Sequence, residues 1–191
     1  MKDEAVRRKR ERRDINIHRI CLLAAMALTL AVAIVSVRSC HTTFTTSDEA
    51  YVAQALAGFF TDRPMVWVPF LSPVLTRVLY VLYRFIPGVA WYAWLQRLLM
   101  LVCATVIHVC VLRQTTRYFG KKGLLAGGLV CLGLSGLYAW AFTRMSSYYT
   151  VGLCGVAMCL LVVEGFDRES FLRRWLLALV LFFFGDRKSV V

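Results

Sequence analysis

Asp48 and Glu49 form an adjacent carboxylate pair in the one long polar segment of this chain that lies between apolar runs. A carboxylate at a membrane face can deprotonate an acceptor hydroxyl, or hold a divalent cation that offsets a phosphate leaving group. The same residues also read as simple architecture. Ser47 is a good N-cap, two acids in a first turn suit the helix dipole, and Gly58 is a natural terminator. Arg97, inside the apolar run Trp91–Leu112, is the other residue that asks for a reason. An ionisable group at that depth is costly without a partner, unless it snorkels back to the interface.

Other chemistry is sparse. The seven cysteines (21, 40, 103, 110, 131, 154, 159) show no CxxC spacing and mostly sit in apolar runs, so six are expected to act as buried small hydrophobes. Cys40 has no evident partner for a disulfide, and no metal-ligand set is visible. The pattern names no cofactor; a divalent cation at Asp48 is compatible with it. His18, His41 and His108 fall at different depths or sides.

The elements that must position these groups are membrane spans. With 59% hydrophobic and 18% charged residues and mean hydropathy +0.63, the 191-residue chain is more apolar than a soluble domain. Its net charge of +12 is read as topology, with no nucleic-acid partner expected, because basic residues fall between the apolar runs. Residues 1–19 carry eight Lys/Arg, and Ile20–Val37 then runs eighteen residues without a charge, a retained signal-anchor. Trp91–Leu112, Leu124–Phe142 and Met145–Val163 complete about four full spans, and Trp175–Gly185 reads as a truncated fifth. The expected class is all-α and polytopic, with a cytoplasmic N-terminus, an external loop 38–68 and a membrane domain over 20–185.

Charge decides the status of Pro69–Ile86, which is apolar but holds Pro69, Pro73, Arg77 and Arg84. If it crossed, the basic stretch Arg113–Lys122 would lie outside, against the positive-inside rule. An interfacial amphipathic helix over 69–86 removes the conflict. Arg77 and Arg84 are then solvated-face charges, Asp62-Arg63 a turn before Pro64, and Trp67, Trp91, Tyr92 and Trp94 an aromatic belt. Arg144, Tyr148 and Tyr149 fall in an outer hairpin. Residues 186–191 follow the half-length run with a charged tail that matches the translation of a common sequencing-library adapter, so a non-native tail is expected there.

The stretch TTSDEAYVAQALAGFFTDRP resembles the first external loop of the polyprenol-phosphate-sugar-dependent glycosyltransferases of the GT-C class, and IPGVAWYAWLQRLLML resembles their bacterial members. Order, spacing and topology agree over about residues 15–163. The resemblance implies transfer of a sugar from a polyprenyl-phosphate donor, a membrane lipid, to an acceptor hydroxyl outside the cytoplasm of a bacterial cell. It implies Asp48 as catalytic carboxylate or metal-associated group, Glu49 as a second acid orienting acceptor or cation, and Arg97 on the lipid phosphate. Asp48 would stand at the mouth of a groove between the first span and Trp91–Leu112, with Arg97 opening into it. The class generally has more spans, so a fragment inactive by itself is expected. The competing expectation is a non-catalytic scaffold, flippase-like or transporter component, although no span carries a central acid.

Overall fold

The computed structural model describes residues 2–61, 63–66, 68 and 71–165. The fifth apolar run and the tail 186–191 lie outside the described residues. The rest is an all-α membrane domain: α1 (Lys2–Ser39), α2 (Ser47–Ala57), α3 (Pro73–Phe85), α4 (Trp91–Phe119), α5 (Lys121–Tyr138) and α6 (Ser147–Gly165). Four of these stretches are long and apolar enough to cross a membrane: Ile17–Ser39, Trp91–Phe119, Lys122–Phe142 and Ser147–Glu164. α4 is the hub, packed against α1, α5 and α6.

α3 does not cross. Ser72 caps it by accepting from the Leu75 N–H, and Pro73 suits its first turn because its missing N–H would be orphaned there anyway. Its thirteen residues span about 20 Å, against roughly 30 Å of hydrocarbon. One face buries Leu75, Leu79 and Tyr83 against α2 and α4, while Arg77 and Arg84 are exposed.

Two short strands show that α2 and α3 stay at one end of the bundle. β1 (Thr43–Phe44) pairs in parallel with β2 (Arg144–Met145), so the segment after α1 meets the segment before α6. The opposite end gathers Arg113, Arg117 and Lys122. There Arg113 pairs with Glu164 at 3.0 Å, and the Cys110 thiol donates to the same carboxylate at 3.3 Å. The positive-inside rule assigns that basic end to the cytoplasm. A thiol placed at Lys122 of a cysteine-free variant should therefore react with a membrane-impermeant maleimide only after the cytoplasmic face is opened. Labelling from outside would reverse the topology.

Two details depart from the sequence reading. The α2 N-cap is Thr46, whose hydroxyl accepts from the Glu49 N–H at 3.4 Å, and Ser47 is the first helical residue. Five cysteines are buried, but Cys159 as well as Cys40 is exposed. Cys159 lies on an outer face of α6, where lipid replaces protein as the apolar neighbour; an apolar environment alone does not distinguish the two.

A polar cluster sits within the bundle where α1, α4 and α5 meet. The Thr29 hydroxyl donates to the Ala25 carbonyl (2.8 Å) and therefore accepts from His108 Nδ1 (2.9 Å). That leaves His108 Nε2 to accept from the Tyr138 hydroxyl, with Ser135 Oγ at 3.2 Å from the same nitrogen. Thr29 and Ser135 keep backbone acceptors of their own, Ala25 and Cys131. Replacing His108 by Leu should therefore cost only about 1 kcal/mol, in line with interhelical hydrogen bonds in membranes. Thermal unfolding in detergent measures it; a loss several times larger would mean that the imidazole does more than bridge.

Candidate functional site

The acidic pair divides at the first turn of α2. Asp48 is exposed, whereas Glu49 is fully buried. The difference is geometric: adjacent positions on a helix are about 100° apart, so one faces out when its neighbour faces α4. Glu49 Oε2 accepts from the Tyr92 hydroxyl and from Gln96 Nε2 at 3.2 Å. Its Oε1 accepts from the Ser147 N–H at 3.0 Å and from the Ser147 hydroxyl. Tyr92 and Gln96 stand four residues apart, one turn of α4 above the other, so both reach the same oxygen. Ser147 opens α6, so the carboxylate also sits where a helix N-terminus favours negative charge.

Glu49 thus joins α2, α4 and α6 in one node. The orienting role that the resemblance implied for Glu49 has to be met by a group whose oxygens already accept four protein hydrogen bonds. Tyr92, expected in the aromatic belt, is turned inward and buried because its hydroxyl has a carboxylate to meet. Sequence reasoning passed over Gln96 and Ser147. The available signal was Gln96, an uncharged polar residue four positions after Tyr92 at the start of an apolar run.

Arg97 follows Gln96 on α4, about 9 Å along the axis from Trp91. It is half-buried, and its Nε is enclosed without a hydrogen-bond partner among the described residues. The structure brings Glu49 to Tyr92 and Gln96, but it gives no contact between Arg97 and either acid. Gln96 Oε1 is likewise enclosed without a partner. Among the described residues no group of three His, Cys, Asp or Glu is placed to hold a metal ion.

A cavity of about 580 Å³ opens at the same end of the bundle. Its walls come from α2, the end of α3 and the start of α4, not from the first span, and neither Asp48 nor Arg97 lines it. Ala50, Ala53 and Ala57 recur along one stripe of α2, and their small side chains leave the hollow. Gly58 closes α2 in the left-handed region (φ 82°), and a Cβ there would lie 2.7 Å from the Arg63 carbonyl carbon. Only glycine allows the chain to turn there and return through Pro64 to wall the cavity. On the third wall the Tyr83 hydroxyl accepts from the Tyr92 N–H at 3.2 Å. Burial raises the Tyr83 pKa above the ordinary phenol range, so it remains a hydroxyl.

No protein-family model, curated protein or solved structure matches this chain.

Proposed function

We propose that this chain is a GT-C-like membrane glycosyltransferase acting at the outer face of a bacterial cytoplasmic membrane. In this reading a sugar passes from a polyprenyl-phosphate donor to an acceptor hydroxyl, with Asp48 taking the acceptor's proton or holding a divalent cation. The observation that carries the reading is the split of the acidic pair. Glu49 anchors the first turn of α2 to α4 and α6, and this fixes the backbone that carries the exposed Asp48 at that end of the bundle. A carboxylate carried on an anchored turn at the membrane surface can reach and deprotonate an incoming hydroxyl. Arg97, whose Nε has no hydrogen-bond partner among the described residues and which is set below that end, supplies the positive charge for the phosphate.

A second reading has its own support. The complete engagement of Glu49 by protein donors also suits a non-catalytic scaffold, in which the acidic pair is architecture alone. Sugar transfer from a polyprenyl-phosphate donor in liposomes, by the intact chain and its Asp48→Asn variant, separates the two. Unchanged transfer in Asp48→Asn overturns the proposed mechanism.

A further inference from the structure

We infer that the cavity between α2, α3 and α4 is a binding site for one anionic phospholipid of the bilayer, with Arg84 on its phosphate. This is a resident lipid, distinct from the donor of the proposed reaction. Among the described residues that line the cavity, Arg84 is the one that carries a charge. The remaining walls are largely apolar: the alanine stripe of α2, Phe44, Phe59 and Pro64. A site with one cation and apolar sides matches a ligand that carries one negative charge on an apolar body. A soluble anion would leave those walls wet.

Position supplies the rest. The cavity lies beside α3, whose exposed Val74, Val78, Val81 and Phe85 present an apolar surface along a helix too short to cross. Acyl chains lying against that surface would leave the headgroup at the level of Arg84, one residue before Phe85. The first turn of α4 enters the same cavity through Ala90 and Ala93, with the Tyr83 hydroxyl already accepting from its Tyr92 N–H. The volume falls in the range of small-molecule sites, roughly 300–1,000 Å³. Arg77, seven residues earlier on α3, is also exposed but does not line the cavity. This provides an internal control.

The test uses the intact chain in mild detergent and native mass spectrometry, titrating phosphatidylglycerol, phosphatidylcholine and a polyprenyl phosphate. One phosphatidylglycerol should bind in preference to phosphatidylcholine. Arg84→Gln should weaken that binding about fivefold or more, the worth of one arginine at an anionic lipid surface. Arg84→Lys should keep most of it, and Arg77→Gln should leave it unchanged. Equal loss in Arg77→Gln and Arg84→Gln would reduce the effect to general interfacial charge and overturn the site. Equal binding of the two phospholipids, or preference for the polyprenyl phosphate, would overturn the choice of occupant. None of these outcomes depends on sugar transfer, so the lipid site and the transferase reading can fail separately.

Discussion

Glu49→Ala is expected to lower the unfolding temperature of the detergent-solubilised protein by roughly 10 °C. The substitution removes one acceptor group and strands four donors: the Tyr92 hydroxyl, Gln96 Nε2, and the N–H and hydroxyl of Ser147. Removing one side of a buried, hydrogen-bonded charged site costs about 3–5 kcal/mol, because the partners are left desolvated and unmatched. At roughly 2–4 °C per kcal/mol for a chain of this size, a shift near 10 °C follows. With the exposed Cys40 and Cys159 replaced by serine in every variant, the buried cysteines report it, since a thiol-reactive fluorophore then reaches Cys21, Cys103, Cys110, Cys131 and Cys154 only as the bundle opens. Glu49→Gln should recover part of the loss, because its amide oxygen still accepts while its NH₂ meets donors. An unfolding temperature within 2 °C of the parent for Glu49→Ala, about the smallest shift that one kcal/mol produces, would show that the node is not holding the outer end.

Asp48→Asn should behave in the opposite way. Its side chain is exposed, and replacing an exposed carboxylate away from a built interaction changes stability by about 0.5 kcal/mol or less. Under the proposed mechanism the same change removes the group that accepts the proton or holds the cation. Transfer should then fall by about 10²–10⁴-fold, the usual worth of a positioned general base. Membrane insertion, abundance and unfolding temperature should stay at parental values. Two neighbouring acids would thus separate cleanly, Glu49 governing the fold and Asp48 the reaction. If Asp48→Asn loses both activity and stability, the carboxylate is structural and the transferase mechanism loses its base.

The parts of this fold that were readable in the sequence rest on strong local rules. Long uncharged runs specify the four membrane-length helices, which length and hydropathy alone suffice to read. Glu49 was visible as a residue but not as a node. Its partners lie 43, 47 and 98 residues away, and no local periodicity announces them. Two-residue strands a hundred positions apart leave no alternation to detect. The spans also hide which faces meet protein and which meet lipid, because both neighbours reward the same apolar side chains. Cys159 and Tyr92 were misplaced for that reason. His108 was legible only as a polar residue within an apolar run; the hydroxyls that satisfy it come from two other helices.

The separation of Glu49 from Ser147 has a consequence in time. A chain entering the membrane from its N-terminus exposes the carboxylate well before the serine exists. At roughly 5–20 residues per second, 98 residues of synthesis take about 5–20 s. Throughout that interval the outer end holds an acceptor whose last two donors have not been made, and water must serve in their place. Arrival of the sixth helix expels that water and closes the node. Quality control that recognises hydrated polar groups at the membrane surface would therefore see an unfinished protein until the start of that helix docks.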